Sequence, residues 1–264
     1  MKKIPFDEVK SIQLDLLKDV ADFCEKNGLT YFLAYGTLIG AIRHNGYIPW
    51  DDDIDIAMPR PDYDKFIKTY NRNDSYKKVI DIAIDKTYGV QFAKVYDDRT
   101  WLNEYKYRKE NYGVYIDVFP IDGVKGTFRI RLAQKLDKIL HAKKANYAER
   151  SLLKNISNCL VKILCLPFPV YSILRFADKN ARRYSYGVTE KAANFLETYG
   201  VNEIVDTSVF QRTLLHTFEG GQYRIPEGYD LWLRTIYGDY MQLPPVNQQI
   251  PHHVSNAYWK DKNE

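Results

Sequence analysis

The chain has 264 residues, of which 45% are hydrophobic and 27% charged, with a net charge of +4. That is enough apolar material for a real core. Three cysteines without metal-ligand spacing argue against a disulfide framework and fit a reducing compartment. The mild positive balance permits an anionic substrate or a membrane surface and demands neither.

From Phe6 to Lys26, Val9, Ile12, Leu16, Leu17, Val20 and Phe23 recur at helical spacing, and Asn27-Gly28 supplies a stop signal. Tyr31 to Tyr35 reads as a short buried strand. Gly36-Thr37 reads as a turn, and Leu38 to His44 as a short helix. Asn45-Gly46 and Pro49 punctuate a loop. Asp53 to Met58 alternates carboxylates with Ile54, Ile56 and Met58, which is strand periodicity, and a helix is expected near Tyr63 to Tyr70. Lys78–Ile84, Val90–Tyr96 and Tyr112–Phe119 are further strand candidates. After Gly126 the pattern turns helical: Phe128 to Ala148 is long, basic and amphipathic, followed by Ile173–Asn180 and Lys191–Thr198. Thr217 to His253 is rich in Gly, Pro and aromatics and should pack back on the first half. The expected fold class is α+β, as one integrated unit over 1–264: an α+β core over 1–125, a mainly helical region over 126–215 and a C-terminal segment over 216–264.

No run reaches the roughly 18 uncharged apolar residues of a spanning helix. The nearest, Cys159 to Leu174, contains Lys162, Pro167 and Pro169, and reads as a broken core helix, with a patch resting on a membrane as the alternative. Lys2-Lys3 precedes Ile-Pro-Phe-Asp-Glu rather than an apolar signal region, so a cytoplasmic location is expected. The basic residues between Arg129 and Lys144 lack the interleaved aromatics of a nucleic-acid platform. They read as a solvated face or a peripheral contact with anionic lipid at the inner face of the plasma membrane.

Alternate strand residues share a face, so Asp53 and Asp55 project together while Ile54 and Ile56 point into the core. Paired carboxylates repel unless a cation lies between them. All-oxygen ligands suit Mg²⁺, with Mn²⁺ as the other ion considered. Asp117, inside the apolar Tyr115-Ile116-Asp117-Val118-Phe119, would be costly to bury without a partner. A neighbouring strand carrying Asp53 and Asp55 makes it the third ligand. Asp51 shares their parity, so an Asp51/Asp53 pair is the alternative register. The bland reading, a solvated loop of acids, weakens once the third strand carboxylate is added. The turn Tyr35-Gly36-Thr37-Leu38 opens a helix whose N-terminus, glycine backbone and Thr37 hydroxyl suit a phosphate. Lys94, in Gln91-Phe92-Ala93-Lys94-Val95-Tyr96, and Arg43 could neutralise it. Trp50, Tyr115 and Trp101 are aromatic candidates by proximity in sequence to the acids.

The stretch Tyr35-Gly36-Thr37-Leu38-Ile39-Gly40-Ala41-Ile42-Arg43-His44, then Gly46-Tyr47-Ile48-Pro49-Trp50-Asp51-Asp52-Asp53-Ile54-Asp55, resembles the LicD family. So do Tyr115-Ile116-Asp117-Val118-Phe119-Pro120-Ile121-Asp122, Phe218-Glu219-Gly220, Ile225-Pro226 and Tyr237-Gly238-Asp239-Tyr240 before Leu243-Pro244-Pro245. The resemblance implies a nucleotidyltransferase-like mixed sheet flanked by helices, with Asp53, Asp55 and Asp117 as metal-binding acids. It implies transfer of a phosphorylated alcohol from a CDP-linked donor. CDP-choline and a sugar hydroxyl of teichoic acid or lipopolysaccharide are associated with bacterial members, and ribitol phosphate with fukutin-like ones; the partners expected here are a CDP-alcohol and a glycan acceptor, free or lipid-linked. A glycerol phosphate donor and a non-catalytic binding protein on the same scaffold are the alternatives. The family often has an arginine after Pro-Pro, where this chain has Val246-Asn247-Gln248-Gln249-Ile250 ahead of His252-His253.

Overall fold

Helix α1 (Phe6–Asn27) buries Leu16, Leu17, Val20 and Cys24 along one stripe and ends on Gly28, whose φ of 62° gives the left-handed cap that glycine adopts without penalty. The computed structural model describes residues 1–71, 75–103, 112–144, 167–195, 199–250 and 256–261. In chain order the remaining elements are β1 (Lys2–Lys3), β2 (Phe32–Leu33), α2 (Tyr35–His44), β3 (Asp55–Pro59), α3 (Arg60–Thr69), β4 (Lys77–Ile80), β5 (Ala93–Asp97), β6 (Thr100–Asn103) and β7 (Tyr115–Val124). They are followed by α4 (Phe128–Lys144), α5 (Val170–Ala181), β8 (Lys191–Ala193), β9 (Val205–Asp206), β10 (Thr213–Phe218), β11 (Gly221–Pro226), α6 (Tyr229–Tyr237) and β12 (Asn256–Trp259). The fold is α+β.

The central sheet runs β2-β3-β7-β5-β4. Only β3 and β7 pair in parallel within it; the other neighbours are antiparallel. Strand β7 is buried along its whole length, as a central strand covered on both faces must be. Its two acids therefore need partners. Asp122 takes a bidentate pair from Arg60, with Nε at 2.7 Å and Nη2 at 2.5 Å, and Asp117 takes one from Lys94. A smaller sheet, β1-β12-β6, ties the chain ends together, and β10 and β11 form a hairpin.

The core joins distant segments. Phe32 stacks on Phe210 at 5.4 Å between centroids, and Trp232 of α6 meets both edge-on. Two expectations shift. Lys191–Ala193 is a strand, not the start of a helix, because its backbone pairs with Asp122–Val124 of β7, and that tertiary pairing overrides the helix preference of Ala192 and Ala193. Residues 126–215 thus carry strands β8, β9 and part of β10 besides α4 and α5. Among the described residues no helix is long and apolar enough to cross a membrane. Residues 159–166 of the Cys159–Leu174 run, and both His252 and His253, lie outside the described residues; Val170–Leu174 is the start of α5.

Candidate active site

The acids come together by register. Asp55 lies opposite Asp117 across the parallel β3–β7 pair, and Lys94 lies opposite Asp117 across β5–β7. Opposed residues share a face, so Asp55, Asp117 and Lys94 form one row across three strands. Strand β3 begins at Asp55, later than the alternation predicts; Asp53 lies in the loop before it. The cause is the backbone around Asp55: its N–H donates to Thr37 Oγ1 at 2.8 Å, and its carbonyl accepts from Ala34 N–H at 3.0 Å. Asp51, Asp53, Asp55 and Asp117 nonetheless line one cavity of about 1010 Å³.

Asp51 is drawn further in than the Asp53/Asp55 reading predicts. A side chain on Gly36 would bring its Cβ to 2.7 Å from Asp51 Oδ2, so glycine is what lets that carboxylate lie against the start of α2. Carboxylate oxygens of Asp51, Asp52 and Asp53 lie within 4.8 Å of one another. Burial, then the neighbouring Asp53, pushes the Asp51 carboxyl up to about 8. An all-oxygen cluster that resists its own ionisation fits a hard divalent cation.

Several expected contacts with substrate turn out differently. Thr37 is buried, and its hydroxyl holds the Asp55 amide rather than facing the cavity. Leu38 is fully buried in the core. Lys94 is 4% exposed, with Nζ at 2.6 Å from Asp117 Oδ1 and 3.3 Å from the centre of the Tyr115 ring. It orients and neutralises a site acid, and Tyr115 covers that lysine instead of lining the main cavity. Trp101 packs on Tyr258 across β6–β12, away from the acids. Gly36, Arg43 and Trp50 do line the cavity; Arg43 Nη1 donates to the Tyr240 carbonyl at 2.7 Å.

The wall that sequence proximity missed is aromatic. Tyr35, the first residue of α2, stacks on Tyr199 at 5.7 Å, and Tyr199 meets Tyr237 edge-on at 5.2 Å, their hydroxyls 2.7 Å apart. Tyr35 has a φ of 46°, a strained value for a non-glycine residue. Its hydroxyl is fixed by donation to Glu203 Oε1 at 2.5 Å and by acceptance from Asn194 Nδ2 at 2.9 Å. Phe92, Phe119, Asp239 and Tyr240 extend this wall, and Pro244, Pro245 and Gln248 continue it. Tyr35, Phe119, Tyr237, Tyr240 and Pro244-Pro245 sit in motifs already singled out in the sequence; Tyr199 carries no such signal.

Residues 28–170 match the family described as LicD/FKTN/FKRP, nucleotidyltransferase domain. The chain is 30% identical, over 98% of its own length and 99% of the other protein's, to the lipopolysaccharide cholinephosphotransferase LicD of Haemophilus influenzae. The chain belongs to the LicD family. Uncharacterised proteins of Rickettsia typhi and Rickettsia prowazekii are 41% identical over 63 residues, 24% of this chain and 20% and 24% of theirs. In this LicD-family chain the Phe218-Glu219-Gly220 motif closes the acidic loop from outside. Glu219 N–H donates to the Asn45 carbonyl at 2.9 Å, and Glu219 Oε1 accepts from Tyr47 N–H at 3.0 Å. Gln248 lines the cavity close to where the family often carries an arginine.

Proposed function

We propose that this chain is a Mg²⁺-dependent transferase that moves phosphocholine from CDP-choline to a hydroxyl of a cell-surface glycan, releasing CMP. The carrying observation is that Asp51, Asp53, Asp55 and Asp117 line the same cavity as an aromatic wall that includes Asp239. A quaternary ammonium has no hydrogen-bond donor; ring faces and a nearby anion are what it can use. Tyr199, Tyr237 and Asp239 offer both. The match to a lipopolysaccharide cholinephosphotransferase over nearly the whole length supports phosphocholine as the transferred group and a lipopolysaccharide-type acceptor over teichoic acid.

Asp51, Asp53, Asp55 and Asp117 would hold the cation. Bound there, it would neutralise charge on the phosphorus oxygens and the leaving group. The chain's own part is to position. The Lys94 pair and the Thr37 hydrogen bond hold Asp117 and Asp55 in one row. Arg43 and the Gly36 backbone border the donor's phosphates, and the walls exclude water from the phosphorus.

The test is incubation of the full chain with Mg²⁺ and CDP-choline, CDP-glycerol or CDP-ribitol, with and without glycan, following CMP. CMP release from CDP-choline that rises with glycan is expected. Tyr199→Ala should raise the KM for CDP-choline about twofold to thirtyfold, the range of roughly 0.5–2 kcal/mol for one cation–π contact, and leave the polyol donors less affected. Turnover of the polyol donors alone would replace choline with a polyol. Pyrophosphate from CTP would mean nucleotidyl transfer. No turnover of any donor would refute the transferase.

A further inference from the structure

We propose that a second cavity, which shares Asp53 with the first, receives the sugar ring of the acceptor; this rests on the transferase reading above. The cavity measures about 540 Å³. Ile4, just after β1, and Phe6 and Val9 from the first turn of α1 line it, with Leu102 of β6, Ala257 of β12 and Tyr115 at the start of β7. Asp53 lines this cavity and the larger one, so the two meet at the acid cluster. Phosphoryl transfer by in-line displacement needs the attacking oxygen and the leaving oxygen on opposite sides of phosphorus. A second opening onto the same carboxylate gives the attacking hydroxyl an approach separate from the cavity that takes the CDP-alcohol.

The chemistry of the walls fits a sugar. Phe6 presents ring surface to the C–H face of a pyranose, Tyr115 closes the cavity beside it, and Lys3 and Asn256 add hydrogen-bonding groups for its hydroxyls. The partition between the cavities is braced. Gln13, 4% exposed, donates to the Asp52 carbonyl at 3.0 Å and the Tyr115 carbonyl at 3.4 Å and accepts from the Tyr47 hydroxyl at 3.1 Å. In the transfer, the acceptor oxygen bonds to the choline-bearing phosphorus and the bridging P–O bond breaks. CMP leaves with the electron pair, and the hydroxyl proton passes to the carboxylate cluster.

The test is saturation-transfer NMR on the full chain with Mg²⁺ and CMP, using oligosaccharide released from phosphocholine-free lipopolysaccharide as the probe. Ring protons of the sugar should receive saturation from the wild type and lose it in Val9→Trp, which fills the cavity. Phe6 is 51% exposed, so Phe6→Ala keeps the fold and should raise the acceptor KM about tenfold, the loss of roughly 1.4 kcal/mol of stacking. Far-UV circular dichroism separates misfolding of Val9→Trp from loss of binding, and Phe6→Ala decides the matter if that variant misfolds. Undiminished saturation in a folded Val9→Trp, an unchanged acceptor KM in Phe6→Ala, or no binding to the wild type overturns the acceptor site. Sugar binding that Val9→Trp abolishes, with no CMP released from CDP-choline, sinks the donor assignment instead and leaves this cavity a sugar site.

Discussion

Thr37→Val separates two roles for one hydroxyl. Sequence suggests a phosphate contact, whereas the fold gives Thr37 Oγ1 a donor of its own, the Asp55 amide at 2.8 Å. Valine keeps the shape of threonine, so the substitution removes the acceptor and leaves little cavity. An amide deprived of its partner costs about 1–3 kcal/mol when dry. Asp55 is half-buried, so water can take over part of the bond, and about 1–2 kcal/mol is expected. At about 2–4 °C per kcal/mol for a chain of this size, the melting temperature should fall by about 2–8 °C. The same change frees the start of β3, where Asp55 faces Asp117, and a small displacement there should lower kcat by about tenfold to a hundredfold. Thr37→Ser keeps an acceptor and should recover most of both. Thermal denaturation and CMP release read the two effects. An unchanged melting temperature with a raised KM for CDP-choline would refute the reasoning, because the hydroxyl would then be touching the donor.

Asp53→Asn should cost turnover with little loss of stability. Asp117→Asn should cost both, because it leaves the buried Lys94 without its charge partner, worth about 3–5 kcal/mol; equal melting temperatures for the two variants would sink this. Arg60→Met strands Asp122, which is 1% exposed, and should destabilise by about 3–5 kcal/mol in urea without altering KM; a loss under about 1 kcal/mol would show that Asp122 finds another partner. In chelator-treated protein the Asp51 carboxyl keeps its proton up to about pH 8, against an ordinary value of 3.8, so the folded state holds a proton that the unfolded state has lost. Stability from this group is fully present below 3.8 and declines as pH rises toward about 8. Asp51→Asn should flatten that slope, and an unchanged slope would exonerate Asp51.

The acids were legible because their evidence is local. Alternation from Asp55 onward assigns faces without knowing any neighbour, although it overreaches at Asp53, which lies in the loop, and an acid inside an apolar strand at Asp117 announces a partner. The identity of that partner was not local. Parity put Lys94 on the face of Phe92 and Tyr96, but whether its ammonium meets a phosphate or Asp117 depends on the β5–β7 register, which no short stretch encodes. Lys191–Ala193 misleads in the same way, since an alanine-rich run favours a helix until β7 offers it a ladder.

The site itself divides along this line. Residues 35–55 close on themselves: Gly36 admits Asp51, Thr37 holds Asp55, and a Cβ on Gly40 would come to 2.4 Å from the carbonyl oxygen of Gly46. The contacts that set Asp51 and Asp55 lie within twenty residues, which keeps that part of the chemistry together as a readable motif. Tyr199 and Tyr237 do the opposite. Each reads alone as core packing, and only the packing of α6 and the Gly200–Glu203 turn against α2 brings them beside Tyr35. Proximity in sequence therefore favoured Trp101 and Tyr115, which the sheet carries away from the cavity or turns to another task. If the aromatic wall selects the transferred alcohol while the self-closing loop serves the shared phosphoryl chemistry, exchanging wall residues should change which CDP-alcohol is used without abolishing CMP release. A wall variant that loses every donor equally would break that division of labour.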